Sequence, residues 1–280
     1  MYLFARALAF FLRLLPRGVV AAMGTLAGLV WYHVVRIRRR VAEENVAACI
    51  TSGDRSAARR IVRRNFVKLC RFSLEFAARR AGYTAGVTVE GHEAIREALE
   101  NGKGAVIATG HVGNWDLNTE MGPIVGIPLH VVTRRIAMEG LQRFWDESRT
   151  GRGNTYLARN LPIVELLRVL RGNGCVALVF DQHMPPRRGV RVPFFGREAS
   201  TAYSPAVLHF RTGAPVFPVF GGLEPDGRYV VRVEAAVTIP STGDLRADSA
   251  KMMTELNRRL ENWIRAHPDQ WLWAHRRWKP

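Results

Sequence analysis

The chain has 280 residues, of which 48% are hydrophobic and 23% charged, enough for one large domain or one domain with an added helical segment. This composition excludes wholesale disorder, and three cysteines without a CxxC pair favour neither a disulfide framework nor a zinc site. The 41 Lys and Arg residues against 24 Asp and Glu give a net charge of +17, which indicates a polyanionic partner: a nucleic acid, an anionic membrane surface, or an acidic substrate or carrier protein.

The N-terminal part of the chain is its most apolar part. Residues 18–35 carry no formal charge, and Arg36 and residues 38–40 follow them. About 18 apolar residues are at the short end of what crosses a bilayer, and the basic cluster favours a cytoplasmic position for that end. We therefore predict a membrane anchor or interfacial helix over residues 1–40. A secretory signal and a hairpin of two core helices are the alternatives.

Residues 41–81 form a basic segment in which apolar residues recur at spacings of three and four, which predicts helices with a turn near residues 51–54. The pattern fits a packed helix pair with a solvated face, or a surface lying against lipid headgroups. From residue 82 the pattern changes, and we predict a separate α/β domain over residues 82–280.

In this domain, short apolar runs alternate with helical patterns. The predicted strands cover residues 87–91, 105–110, 129–133, 154–157, 175–181, 216–220 and 229–234. The predicted helices cover residues 93–100, 116–121, 138–149, 162–171, 204–212 and 249–266. Such alternation predicts a mostly parallel sheet with helices on both faces, and in such sheets ligands bind beyond the carboxyl ends of strands.

The first candidate site follows the strand at residues 105–110. His111 comes directly after this strand, Asp116 lies five positions later, and Asn114 is placed to cap the helix that follows. In a strand–turn–helix corner the carboxylate can meet the imidazole, which would fix its tautomer and make it a general base. The alternative is a structural histidine satisfied by a nearby carboxylate.

The second candidate site follows the strand at residues 175–181. Asp181 and His183 lie at its end, so they are expected to face the same cleft, where Asp181 could complete a charge relay with His111. The alternatives are a solvated turn or a hydrogen bond that holds the loop at residues 184–191. A metal site built from His111, Asp116, Asp181 and His183 is a disfavoured third reading.

Three further segments each allow more than one interpretation. Residues 192–196 (VPFFG), with Phe194 and Phe195, form an apolar run in a predicted loop, which fits an acyl groove, a membrane contact or core packing. Arg188 and its arginine neighbours fit phosphate binding or a solvated face. The tryptophans of residues 271–278 fit a membrane interface or lid, or the core.

Several of these segments together resemble one family. His111-x4-Asp116 resembles the HX4D/E motif of the bacterial lipid A late acyltransferases (the lauroyl and myristoyl transferases) and of the related mycobacterial phosphatidylinositol mannoside acyltransferases. Further similar blocks are residues 147–153 (ESRTGRG), 181–183 (DQH), 192–201 (VPFFGREAST), 212–218 (TGAPVFP) and 270–278 (QWLWAHRRW). The resemblance covers nearly the whole chain.

The resemblance implies a glycerolipid-acyltransferase-like α/β fold with an N-terminal membrane-associating helix, at the cytoplasmic face of the cell inner membrane. It implies transfer of an acyl chain from an acyl carrier protein or coenzyme A thioester to a glycolipid hydroxyl, with no metal or redox cofactor. His111 would take the acceptor proton with Asp116 as its partner, and Arg149 would lie near the reacting carbonyl, so the expected catalytic residues are His111, Asp116, Arg149 and Asp181. The expected substrate-binding residues are Asn114, Trp115, Arg152, His183, Arg188, Phe194 and Phe195.

A lipid A precursor is the preferred acceptor. Asp116 and the residues before it are also similar to the phosphatidylinositol mannoside branch, which is the alternative. Two alternatives of another class are a basic nucleic-acid-binding protein and an acyl-binding protein without turnover. A nucleic-acid-binding protein is expected to have aromatic residues interleaved with Lys and Arg, and this sequence shows no such pattern. The acidic carrier protein, the glycolipid and an anionic membrane surface are thus the expected partners, with no nucleic acid.

Overall fold

The structure is a computed structural model that describes residues 1–78, 84, 86–149 and 153–279. Its α-helices are α1 (Tyr2–Leu14), α2 (Arg17–Val30), α3 (Arg39–Cys49), α4 (Arg55–Ala77), α5 (Glu93–Glu100), α6 (Trp115–Thr119), α7 (Met121–Val125), α8 (Glu139–Arg149), α9 (Ile163–Arg171), α10 (Ser204–Thr212) and α11 (Leu245–Ala266). A π-helical turn at Trp31–Val35 extends α2. The strands are β1 (Val87–Glu90), β2 (Ala105–Thr109), β3 (Leu129–Thr133), β4 (Thr155–Ala158), β5 (Cys175–Val179), β6 (Gly189–Phe194), β7 (Arg197–Ala202), β8 (Val216–Leu223) and β9 (Tyr229–Val233).

Seven strands form one sheet in the order β1-β9-β8-β2-β5-β3-β4. Every neighbouring pair is parallel except β8 and β9, which are antiparallel. This confirms the predicted mostly parallel α/β sheet flanked by helices. The seven predicted strands and the six predicted helices of the α/β domain are all present, except that α6 and α7 replace one predicted helix and α11 begins four residues early.

The central strand β2 shows how the sheet is covered on both faces. Val106 and Ala108 belong to one apolar core, with residues of α9, α10 and α11, while Ala105 and Ile107 belong to a second core with residues of α5, α6 and α7. Successive side chains of a strand point to opposite faces, so a strand buried on both faces must be apolar throughout.

Residues 189–202 form a β-hairpin where a loop was predicted. Val190, Val192 and Phe194 are buried along β6, while Arg191 and Pro193 are exposed. The hairpin turns at Phe195 and Gly196, both with positive φ, and this matches the twist of the two flanking strands. The period-two alternation was therefore present in the sequence, and the expectation of a loop was wrong.

The N-terminal helices pack on α4. Gly24 and Gly28 face it so closely that a Cβ atom on Gly28 would lie 2.4 Å from the Cα atom of Val67. The stretch Arg17–Val35 is long and apolar enough to cross a membrane by length and composition, with 22% of its apolar window buried. The boundaries predicted at residues 40 and 81 stay predictions, and part of the basic segment, residues 79–81, lies outside the described residues.

Candidate active site

His111 and Asp181 meet at the carboxyl ends of two neighbouring parallel strands. Thr109 ends β2 and lies beside Val179, which ends β5, so His111 and Asp181, each two positions further along, also lie side by side. His111 Nδ1 is 2.8 Å from Asp181 Oδ1, and the His111 backbone N–H donates to Asp181 Oδ2 at 2.7 Å. The side chains of His111 and Asp181, which were predicted to form a charge relay, are therefore in hydrogen-bond contact.

The contact selects one tautomer of the imidazole. Because an ionised carboxylate only accepts, Nδ1 must carry a proton, which leaves Nε2 of a neutral ring as an acceptor. The Gln182 side-chain nitrogen lies 3.3 Å from Nε2 and can donate to it. A neutral His111 thus has the form of a general base, with Nε2 as its basic atom.

The electrostatics of the pair follow from this contact. Burial lowers the pKa of His111, but the charge of Asp181, its hydrogen bond and the charge of Asp116 outweigh burial, so the pKa lies above its ordinary value. Burial would raise the pKa of Asp181, but the charge and hydrogen bonds of His111 and the Trp271 hydrogen bond lower it to about 2. Asp181 therefore remains ionised at neutral pH.

The C-terminal segment, residues 270–272, packs against the His111–Asp181 pair and binds both strand ends. Trp271 Nε1 donates to Asp181 Oδ2 at 2.8 Å, and the Trp271 ring is buried. Leu272 N–H donates to the His111 carbonyl, and Gly113 N–H donates to the Gln270 carbonyl. Asp181 Oδ2 thus accepts from two donors, and Oδ1 is left to bind the imidazole.

Asp116 is placed differently from the sequence prediction. It lies in the first turn of α6, where its Oδ1 accepts from Arg149 NH2 at 2.5 Å, and both side chains are buried. The prediction that Asp116 is the hydrogen-bond partner of His111 was wrong, because Asp181 on the adjacent strand end occupies Nδ1. Asp116 still raises the pKa of His111 through its charge.

Arg149 is fixed by more than this ion pair. Its guanidinium lies over the Trp145 ring at 5.0 Å and over the Tyr156 ring at 4.6 Å. Its Nε is buried and has no hydrogen-bond partner. An unpartnered buried donor is costly in an empty site and is available to an anionic or carbonyl oxygen of a ligand.

His111 and Arg149 line one cleft of about 680 Å³. The cleft has an apolar part that includes Ile107, Leu129, Val131, Ala177 and Val219, and a basic part that includes Arg134, Arg159, Arg187 and Arg188. Pockets of this size and polarity are typical of small-molecule and lipid sites. The arrangement places a base, a cation and an apolar slot in one space.

Two predicted substrate residues, Trp115 and Arg188, line this cleft, and the Trp115 ring lies 5.6 Å from that of His111. Asn114 instead caps α6, its Oδ1 accepting from Leu117 N–H. His183 lines a separate cavity, and its backbone N–H donates to His275 Nε2 at 3.0 Å. Arg152 lies outside the described residues.

Phe194 and Phe195 do not lie in the cleft. Both rings are buried in the core, where Phe194 contacts the Trp271 and Trp278 rings and Phe195 the Trp273 ring. The prediction of an acyl-binding role for them conflicts with this burial, since the hairpin of β6 and β7 turns them inward. Of the two readings of the tryptophans, the structure supports core packing for Trp271 and Trp273.

Sequence reasoning assigned no role to Trp271 beyond an interface, lid or core residue, nor to Tyr229. The Tyr229 hydroxyl accepts from Asn114 N–H and donates to Asn118 Oδ1, which braces the turn between β2 and α6. Gly113 in that turn has a φ of +52°, and a Cβ atom there would lie 2.2 Å from the Gly221 carbonyl oxygen. These contacts join distant parts of the chain, and no local pattern signals them.

The four residues weighed for a metal site do not converge on one point. Asp116 binds Arg149, Asp181 binds His111 and Trp271, and His183 lines another cavity. Within residues 1–78, 86–149 and 153–279, no group of three or more His, Cys, Asp or Glu side chains is arranged to hold a metal ion.

Comparison with known proteins gives consistent matches. The family model of the bacterial lipid A biosynthesis acyltransferases matches residues 1–280. The phosphatidylinositol mannoside acyltransferase of Mycolicibacterium smegmatis is 31% identical over 65% of this chain, and that of Mycobacterium tuberculosis strain H37Rv is 29% identical over 68%. In both, the match spans 59% of the relative's length.

A third relative matches more of the chain at lower identity. The lipid A biosynthesis lauroyltransferase of Escherichia coli K12 is 24% identical over 95% of this chain and 87% of its own length. The family match over the whole chain and the long match to this relative agree with the motifs spread from His111 to Trp278. This chain therefore belongs to the bacterial lipid A biosynthesis acyltransferase family.

Proposed function

We propose that this protein transfers a fatty acyl chain from a thioester to a hydroxyl of a glycolipid. The observation that carries the proposal is the His111–Asp181 contact beside Arg149 in a cleft with an apolar part. Acyl transfer to an alcohol needs a base, a group that stabilises the oxyanion, and a dry slot for the acyl chain. The family membership supports the same reaction class.

In the proposed reaction His111 Nε2 removes the proton of the acceptor hydroxyl, displacing the Gln182 amide. The hydroxyl oxygen attacks the thioester carbonyl, and the resulting oxyanion is stabilised by the Arg149 guanidinium, whose Nε is unpartnered. The C–S bond then breaks, and the thiol leaves with the proton held on the imidazolium. Asp181 stabilises that imidazolium, and Asp116 holds Arg149 in place.

The proposed partners follow from charge and polarity. The acyl chain lies in the apolar part of the cleft, while Arg159, Arg187 and Arg188 bind phosphate groups of the glycolipid or of the donor. An acidic acyl carrier protein is the preferred donor, and acyl-coenzyme A is the alternative. The apolar stretch Arg17–Val35 associates with the cytoplasmic face of the inner membrane. The reaction needs no metal or redox cofactor.

The preferred acceptor is a lipid A precursor, since the family model and the match over most of the chain both belong to lipid A biosynthesis. A phosphatidylinositol mannoside is the second candidate, because its acyltransferases show higher identity over the part of the chain that they match.

The test is acyl transfer by detergent-solubilised protein, offered carrier-protein and coenzyme A thioesters with either a lipid A precursor or a phosphatidylinositol mannoside. We expect transfer to one acceptor, and His111→Ala should lower the rate by about 10⁴-fold, the upper range for a general base. His183→Ala is the matched control and should retain activity, because this histidine lies in another cavity. Transfer to neither acceptor would remove the proposal, and equal transfer by His111→Ala would show that the reaction does not use this histidine as its base.

A further inference from the structure

A second cavity, of about 920 Å³, lies at the end of the π-helical turn that extends α2 and shares no lining residue with the cleft. We call it the basic basin; its cationic residues include Arg36, Arg38, Arg197, Arg276, Arg277 and Lys279. Among the described residues that line it, Glu44 is the one acid, and it is bound to Arg40. The basin is therefore strongly positive, and the proposed acyl transfer makes no use of it.

Arg277 distinguishes the basin from an ordinary solvated basic surface. Its side chain is completely buried, and its guanidinium donates to the Ser200 carbonyl and the Thr201 hydroxyl. Its Nε has no hydrogen-bond partner. Burial lowers the pKa of Arg277 to about 10, and the charge of Asp181 opposes that shift. A buried cation with an unpartnered N–H group, in a basic cavity, favours an anion.

The surroundings of the basin select the kind of anion. Val34, Val35 and Ile37 are 72%, 50% and 62% exposed, and they alternate with the exposed Arg36 and Arg38. A soluble polyanion would account for the arginines but not for the apolar side chains between them. A lipid accounts for both, since apolar groups enter the bilayer boundary while arginines bind headgroup phosphates.

We propose that the basic basin binds the phosphate of an anionic membrane phospholipid that is not a substrate of the acyl transfer. The bound headgroup would hold the end of the stretch Arg17–Val35 at the membrane surface. Binding at this site does not require acyl transfer, so its failure and the failure of the proposed function are separable.

The experiment measures binding of the full chain to vesicles of phosphatidylcholine alone and to vesicles that also contain phosphatidylglycerol. The test variant combines Arg36→Gln, Arg38→Gln and Arg276→Gln, all exposed, and leaves the buried Arg277 in place. The matched control combines Arg59→Gln, Arg171→Gln and Arg211→Gln, which remove the same charge from exposed sites outside the basin. A third variant combines Arg36→Lys, Arg38→Lys and Arg276→Lys, which keeps the charge.

We expect the wild type to prefer vesicles with phosphatidylglycerol, and the test variant to lose roughly 100-fold in that preference, at about 1 kcal/mol for each basic residue near an anionic surface. The charge-matched control should lose only a few-fold, and the lysine variant should keep most of the preference. Equal losses in the test and control variants would overturn the proposal, because the effect would then come from net charge.

A final experiment distinguishes binding of a lipid headgroup from binding of free phosphate. Inorganic phosphate is added to the wild type and to the test variant, and their thermal unfolding is followed. If phosphate stabilises only the wild type while the vesicle preference is the same in both proteins, the basin is a soluble-phosphate site and the lipid proposal is wrong. If phosphate has no selective effect and the vesicle preference differs as expected, the proposal stands.

Discussion

The two sides of the cleft each contain a buried carboxylate, and the comparison between them explains how the site is built. On the strand side, Asp181 follows β5 and binds the imidazole, with Trp271 and the His111 backbone holding its second oxygen. On the helix side, Asp116 in α6 binds Arg149 of α8, whose guanidinium also contacts two aromatic rings. The strand side thus orients a base and the helix side orients a cation.

This division explains why the short spacing between His111 and Asp116 does not make them hydrogen-bond partners. The two residues are close in sequence, but each takes a partner from a distant part of the chain, 70 residues away for His111 and 33 for Asp116. Closeness in the motif therefore brings His111 and the Arg149 partner of Asp116 to one cleft without making His111 and Asp116 a pair. Substitutions on the two sides test that division.

The largest effect is expected on the strand side. Asp181→Asn keeps the size of the side chain but removes the charge that stabilises the imidazolium and selects the Nδ1–H tautomer. We expect a loss of about 10³-fold in kcat with intact folding, by analogy with the cost of an incorrect tautomer in a catalytic triad. The measurement is the acyl transfer rate, with circular dichroism as the folding check. A loss below about tenfold would contradict the role of Asp181.

The second-largest effect is expected on the helix side of the cleft. Arg149→Gln removes the buried guanidinium, and we expect a loss of about 10²-fold in kcat, the lower range for removal of one oxyanion donor. Arg143→Gln on the same helix is the matched control, because Arg143 is exposed and binds Glu147 outside the cleft. If Arg149→Gln raised KM and left kcat unchanged, Arg149 would bind substrate and would not stabilise the transition state.

A smaller effect is expected where the C-terminal segment supports Asp181. Trp271→Phe keeps most of the buried ring and removes the Nε1 donor to Asp181 Oδ2. A hydrogen bond to a charged group is worth enough to predict about a tenfold loss in kcat. Trp273→Phe is the control, because that indole donates to the Pro268 carbonyl and not to the site. Equal losses in the two variants would indicate damage to the core and no specific support of Asp181.

The same comparison shows which features could be predicted from the sequence. The strands β2 and β5 are short apolar runs, and since parallel strands end at one edge, His111 and Asp181 could be placed at one cleft. The contact of Asp181 with His111 was predicted beside two alternatives, and the choice among them depends on the strand order and on the register that sets Thr109 beside Val179. Local spacing carries no information about either.

The hairpin of β6 and β7 was missed for a different reason. Its alternation of Val190, Val192 and Phe194 with exposed residues was readable, but the run of Pro193, Phe194 and Phe195 resembled an apolar loop. Phe194 and Phe195 were therefore expected to bind substrate, with core packing as the alternative, and they pack against the C-terminal tryptophans. The contact of Trp271 with Asp181 joins residues 90 positions apart, and only the folded chain shows it.

The most direct test of the central claim is the pH dependence of kcat/KM for the wild type, Asp181→Asn and Asp116→Asn. The base must be neutral to act, so the wild-type rate should rise with pH through the pKa of His111, which lies above the ordinary histidine value. Asp181→Asn removes the main charge that opposes burial, so its rise should move to clearly lower pH. Asp116→Asn should move the rise by less, because Asp116 is the smallest of the stated contributions. A larger shift in Asp116→Asn than in Asp181→Asn would contradict the assignment of Asp181 as the partner of the base.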